Sequence, residues 1–284
     1  MKLCRFDHDR VGLVHGDRAA DVTEALGALE SRSWPVPHGD QLIEELSAFR
    51  AAAEALESPP VRALADLRLL SPVANPSKII GAPVNYERHL DESRVDKGIH
   101  FDRDIKTIDY YGLFLKSGTS LVGPSEGVAL RFTDRRNDHE VELAAVIGRR
   151  ADRVSRDSAL EYVAGYAIGL DMTVRGTEAR SFRKSIDTYS VLGPWLVTAD
   201  EIGDPGDLDL ELRVNGELRQ SSNTKYLIFD LPRLIEYASS FYTLYPGDIL
   251  MTGTPEGVGP VRAGDVVAAT IEGIGSMTVA VRDA

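Results

Sequence analysis

The sequence predicts a mixed α/β fold in which strands dominate, on three observations. Runs of β-branched and apolar residues recur along the 284 residues, most plainly at 141–147, where Val141, Val146 and Ile147 favour a strand. Only two long stretches carry the three-and-four spacing of an amphipathic helix. The strands also lack the regular alternation with helices that a doubly wound sheet requires.

Taken in order, residues 2–6 and 11–15 form short strands split by the turn-like Asp7-His8-Asp9-Arg10. Residues 41–56 place Leu42, Leu46, Phe49 and Ala53 on one helical face, and Pro59-Pro60 stops that helix. Together these make a small N-terminal accessory domain, 1–70, joined through 71–76 to a larger domain, 71–284. Residues 78–81 form a strand that delivers the 85–92 segment. Residues 93–109, charge-rich with few apolar anchors, read as a loop or mobile flap. Residues 111–116 are apolar up to Lys116, and 117–120 turn. After the 141–147 and 163–170 runs, 192–197 and 208–214 read as strands, with Asn215-Gly216 a hairpin turn. Residues 228–243 give the other long helix, with Leu231, Leu234, Ile235 and Ala238 inward and Pro232 in its first turn. Pro246-Gly247-Asp248 turns into 249–251, and strands 266–271 and 277–281 close the chain.

Composition removes several functions. A formal charge of -12 with no Lys/Arg-rich stripe argues against a nucleic-acid partner and an anionic membrane surface. The single Cys4 excludes an intrachain disulfide and a cysteine-based zinc site. No apolar stretch reaches the ~18 residues of a membrane span, and charge interrupts the opening residues too soon for a signal peptide. A cytoplasmic soluble enzyme is the expectation.

The run from His139 to Ile147 carries the chemistry. With a strand period of two, Glu140 and Glu142 point to one face, and Asp171 ends the nearly charge-free 163–170 run. Adjacent carboxylates repel and are costly to bury, so a cation between them is one reading; the other is the wet face of an edge strand. Three carboxylates with no nearby Cys or His cluster suit a hard ion, Mg²⁺ or Mn²⁺. His89 and Glu92 stand three apart, on one face if helical, where the carboxylate would orient the imidazole as a general base; an exposed surface pair is the alternative. Tyr86 follows a low-charge bend placed to approach a ligand. Lys184 lies in a basic stretch with Arg175, Arg180 and Arg183, able to balance the carboxylates or hold a substrate oxygen. Gly253 and Thr254 belong to a loop, 252–259, whose amides and hydroxyls suit anions, and Lys116 beside Gly118 and Thr119 is a further pocket candidate.

These phrases in this order resemble the fumarylacetoacetate hydrolase superfamily in its short bacterial, acylpyruvate hydrolase-like form. They are Gly81-Ala82-Pro83-Val84-Asn85-Tyr86 with His89 and Glu92, Phe114-Leu115-Lys116, Glu140-Val141-Glu142, Lys184-Ser185-Ile186-Asp187, and 246–259. The resemblance covers about 70–284. It implies a mixed β-sandwich roll, usually dimeric, acting on short 2-oxo acids with Mg²⁺ or Mn²⁺. It implies Glu140, Glu142 and Asp171 as metal ligands, His89 with Glu92 as the water-activating dyad on a segment that orders over the substrate, and Lys184 in the pocket. Thr254 would meet the substrate carboxylate, and Tyr86, Lys116, Arg175 and Gly253 would line the site. The implied reaction is hydrolysis of acylpyruvates such as fumarylpyruvate or maleylpyruvate. The same enolate chemistry leaves oxaloacetate decarboxylase and 2-hydroxyhepta-2,4-diene-1,7-dioate isomerase as alternatives, and a non-catalytic binding protein as a further one. Two positions depart from the pattern: Gly176 stands where the family commonly has an aspartate, and Ser117 where Lys-Pro is usual.

Overall fold

The 141–147 run forms the strand Val141–Ile147, wholly buried at the centre of a twelve-stranded mixed sheet in the computed structural model, which describes residues 1–284. Val163–Asp171 pairs antiparallel on one side of it and Ile249–Met251 on the other. Beyond Val163–Asp171 lie Ser190–Thr198, Lys2–Phe6, Arg10–His15, Arg18–Asp21 and Val61–Ala63. Beyond Ile249–Met251 lie Ile79–Gly81 and Phe114–Lys116. A second sheet of five strands contains Asp209–Val214 and Glu217–Asn223, joined by the expected hairpin turn, where Asn215 and Gly216 have φ of 53° and 82°.

Both faces of the central strand are covered, so it reads as a continuous apolar run. Val141, Leu143, Ala145 and Ile147 face the larger core, with Leu210, Leu212 and Val267 of the second sheet and Leu234 and Ile235 of the helix Leu231–Phe241. Ala144 and Val146 face a smaller core of Leu3, Ile43 and Phe49. Glu142 shares the parity of Ala144 and Val146, just past the reach of that smaller core. The strand period thus delivers its carboxylate to a cavity at the end of the sheet.

The expected boundary at residue 70 is crossed by backbone pairing: Lys2 and Leu3 lie opposite Val197 and Leu196, so the first strands extend the sheet that holds the carboxylates. The helix expected over 41–56 breaks at Glu45 into Gln41–Glu44 and Leu46–Glu54. Asp40 caps the first piece, accepting from the Leu42 and Ile43 amides. The 228–243 helix is Leu231–Phe241, capped by Asp230. No helix is long and apolar enough to cross a membrane.

Two results should follow for the N-terminal elements. Phe49 has no exposed surface in the smaller core, so Phe49→Ala should cost about 3–5 kcal/mol, read by urea unfolding; a loss under ~1 kcal/mol would mean the helix is not anchored there. Arg50 of the same helix donates to Asp200, 3.0 Å away beyond the end of Ser190–Thr198. The Thr198 hydroxyl and the Arg50 guanidinium hold the Asp200 carboxyl down at about 2. A depressed carboxyl contributes stability above its ordinary value of 3.8 and loses it as pH falls toward about 2. Half-exposure keeps the contribution under about 1 kcal/mol. Wild type should therefore exceed Asp200→Asn in stability at pH 6 by a margin that vanishes near pH 2; a margin that grows on acidification would contradict this origin.

Candidate metal and active site

Glu140, Glu142 and Asp171 meet as expected, each offering a carboxylate oxygen within 4.8 Å of the others, all three buried. The ladder explains how: Glu142 lies opposite Gly169, and the Asp171 amide donates to the Glu140 carbonyl at 2.9 Å. Around them the chain gathers cations. Lys184 Nζ lies 2.6 Å from Glu140 Oε2 and 2.5 Å from Asp171 Oδ2. Arg175 Nη2 lies 3.0 Å from Glu140 Oε1, and its Nε donates to Asp138 at 2.7 Å. Lys116 donates to Asp171 and to the Tyr189 carbonyl.

The three acids are not equivalent. Burial pushes Glu140 up, but Lys184 and Arg175 outweigh it and hold the carboxyl below its usual range. Glu142 accepts only from the Gly253 amide, at 2.7 Å, and burial with Asp171 beside it drives its carboxyl well above the ordinary value. A buried carboxylate next to two others, with one amide for a partner, is the place where a divalent cation would relieve repulsion. Oxygens on opposite sides of an ion at ~2.1 Å are ~4.2 Å apart, so the 4.8 Å cluster closes on one with small side-chain shifts. The donor set, all carboxylate oxygen, fits a hard cation.

The dyad sits across the cavity. Residues 87–95 form the helix Glu87–Val95, which buries His89 and Ser93. His89 Nδ1 lies 2.9 Å from Glu92 Oε2, while Glu92 Oε1 accepts from the Gly257 amide at 3.0 Å. Glu92 thus orients the imidazole and ties the helix to the 252–259 loop. With Nδ1–H donating to Glu92, Nε2 keeps the lone pair a base needs, the Ser93 hydroxyl lying 3.5 Å from it. The flap expected over 93–109 is ordered instead: the helix runs to Val95, Lys97–His100 is helical, and Ile99, Ile105 and Ile108 are buried. Asp96 caps that short helix and pairs with Arg136, a contact local sequence does not reveal.

His89, the three carboxylates, Lys184, Arg175 and Thr254 line one cavity of about 470 Å³, within the usual range for small-molecule sites. Thr254 Oγ1 accepts from Gln220 Nε2 at 2.8 Å, leaving its own proton to give. Gln220 was visible in the sequence only as part of a polar segment; its role depends on a loop 34 residues away. Two expected pocket residues act from behind: Lys116 supports Asp171, and Gly253, at φ 101° where a Cβ would come within 2.7 Å of Asn85, presents its amide to Glu142. Tyr86, also expected to meet substrate, lines a neighbouring cavity of about 390 Å³ with Lys225 and Tyr226; its hydroxyl is buried without a partner, and burial with the nearby Glu142 carboxylate pushes its pKa up. At Gly176, a Cβ would lie 1.9 Å from Arg135 Nη2. The Arg135 guanidinium, paired with Glu178, fills the space where the family pattern has an aspartate.

Comparison with known proteins agrees with this geometry. Residues 78–282 match the family model described as Fumarylacetoacetate (FAA) hydrolase C-terminal. The chain is 58% identical to the maleylpyruvate hydrolase of Aquipseudomonas alcaligenes, over 99% of each. It is 38% identical to the 2,4-didehydro-3-deoxy-L-rhamnonate hydrolase of a Sphingomonas species, over 97% of this chain and 94% of that one. Among solved structures, maleylpyruvate hydrolase from Sphingobium sp. SYK-6, in complex with manganese(II) and pyruvate, superposes with a TM-score of 0.84 at 42% identity, over 100% of this chain and 99% of that one.

Proposed function

We propose, because the chain belongs to the fumarylacetoacetate hydrolase family, that it hydrolyses a carbon–carbon bond of acylpyruvates of the maleylpyruvate or fumarylpyruvate type, releasing pyruvate and a carboxylic acid. The observation that carries this reading is the buried triad Glu140, Glu142 and Asp171 facing, in one cavity, a histidine oriented by a carboxylate. The likeness to two maleylpyruvate hydrolases supports the substrate class. Mg²⁺ or Mn²⁺ is the proposed cofactor, and a cytoplasmic homodimer the proposed form, with no nucleic-acid or membrane partner. Residues 1–70 would act as an accessory unit to the catalytic part, 71–284.

In this mechanism Glu140, Glu142 and Asp171 would hold the cation. When bound it supplies Lewis acidity, polarising the 2-oxo group and stabilising the charge of an enolate. The Thr254 hydroxyl donates a hydrogen bond to the carboxylate next to that 2-oxo group. His89 Nε2 takes a proton from water, and the hydroxide so formed attacks the distal carbonyl carbon. The tetrahedral adduct collapses, the bond to the adjacent carbon breaks, and its electron pair passes to the pyruvate enolate. Lys184, at the same carboxylates, places an ammonium beside that developing charge. The protonated His89 returns its proton to the enolate carbon, completing pyruvate. Arg175 keeps Glu140 ionised, and Lys116 steadies Asp171.

A steady-state screen of acylpyruvates and oxaloacetate, with Mg²⁺ and with Mn²⁺, tests the reading by following pyruvate. The expected outcome is stoichiometric pyruvate and acid from maleylpyruvate or fumarylpyruvate. Carbon dioxide from oxaloacetate with no acylpyruvate cleavage would replace hydrolysis by decarboxylation.

A further inference from the structure

The cavity has a basic wall that the hydrolytic machinery leaves unused. Arg180 and Arg183 of the Arg180–Lys184 helix line it, with Arg103 at its mouth. Their neighbours Arg135, Arg136 and Arg175 are each paired with carboxylates, yet none of these three is. Arg103 donates once from each nitrogen, to the His100, Gly176 and Thr177 carbonyls, which leaves two N–H groups free and does not cancel its charge. Arg183 is 9% exposed, donates once to the Val174 carbonyl at 3.3 Å, and leaves its buried Nε without a partner. Burial, with Arg175 beside it, draws this guanidinium down to about 10, although Glu140 and Asp171 act in the other direction from a distance. Arg180 lies over the Tyr111 ring, 3.9 Å from its centre, so the plane of its fork is fixed while no carboxylate meets its edge.

In a chain with 44 acidic against 32 basic residues, carboxylates are not scarce. Two planar, five-donor groups without one, Arg183 buried and Arg180 half-buried, in the wall of a substrate cavity, match the geometry of a carboxylate brought by the ligand. Thr254 and the acidic cluster already serve the oxo-acid end of the substrate. We propose that Arg180 and Arg183, with Arg103 at the entrance, bind a second carboxylate at the other end of the acyl group, making the enzyme selective for dicarboxylate acylpyruvates. This rests on the acylpyruvate reading above and names the residues that choose among such substrates.

Two measurements on the manganese-loaded full-length protein test it. The first compares kcat/KM for maleylpyruvate and for acetylpyruvate, which lacks the second carboxylate, in wild type, Arg180→Gln and Arg183→Gln. The ratio within one preparation does not depend on how much protein is folded. It should fall about 30-fold or more in each variant, with partial recovery in Arg183→Lys; a ratio within twofold of wild type overturns the proposal. The second is calorimetric binding of maleate and of crotonate to wild type under saturating pyruvate, which occupies the oxo-acid end. Maleate should bind at least tenfold tighter, and equal affinities overturn the proposal. Loss of all acylpyruvate turnover in wild type would refute the hydrolase reading, while the maleate preference would still decide the arginines.

Discussion

Chelation of divalent cations should lower pyruvate release from an acylpyruvate by about three orders of magnitude, and Glu142→Gln should make that loss irreversible by added Mn²⁺. The size follows from what the cation would supply: several kcal/mol of stabilisation for a developing enolate, with each 1.36 kcal/mol a factor of ten in rate. The residue follows from the geometry. Glu140 is held by Lys184 and Arg175, and Asp171 by Lys184 and Lys116, whereas Glu142 has only the Gly253 amide. Glu142 therefore has the most to gain from a cation, and its amide isostere offers neither the charge nor the second oxygen. Folding provides a readout separate from turnover. A ligand at 100 times its dissociation constant stabilises by about 2.7 kcal/mol, so Mn²⁺ should raise the wild-type melting temperature and leave Glu142→Gln nearly unmoved. A chelated wild-type protein that keeps a tenth of its rate would refute the metal's part in the reaction.

Replacing His89 with alanine should reduce kcat for acylpyruvate cleavage by about 10²–10⁴-fold, the range a positioned general base contributes. KM and Mn²⁺ affinity should change little, since His89 is not among the clustered carboxylates. Glu92→Gln should cost less: its one amide oxygen can still accept from Nδ1, although it no longer supports an imidazolium and its NH2 group cannot accept from the Gly257 amide. The contrast with decarboxylation sharpens the test. Loss of carbon dioxide from oxaloacetate needs no attacking water, so any such activity in wild type should persist in His89→Ala. Equal losses on both substrates would show that His89 acts in closing or shaping the cavity rather than in activating water.

Why some of this site was legible and some not comes down to the range of the interactions involved. Glu140 and Glu142 could be placed on one face because strand period is local, and the apolar residues around them demanded burial on both sides. His89 and Glu92 could be paired for the same reason, by the helical offset of three. The 93–109 segment misled because its few apolar residues are buried and its charged ones find partners far along the chain. It is pinned by Arg136 to Asp96 and by the Arg103 contacts to Gly176 and Thr177, with Ile99, Ile105 and Ile108 buried. Lys116 carried the right chemistry for a pocket, but its place in the strand Phe114–Lys116 sets its ammonium on Asp171.

Strand predominance, the acidic pair and the orienting dyad follow from patterns of fixed period over a few residues, and Asp171 and the hydroxyl-bearing loop from local composition. Which cations meet which carboxylates, the extension of the central sheet by the first strands, and the lack of counter-ions at Arg180 and Arg183 in the cavity wall follow from the folded arrangement. Charge compensation depends on distance in space, and the groups concerned come from segments far apart in the chain.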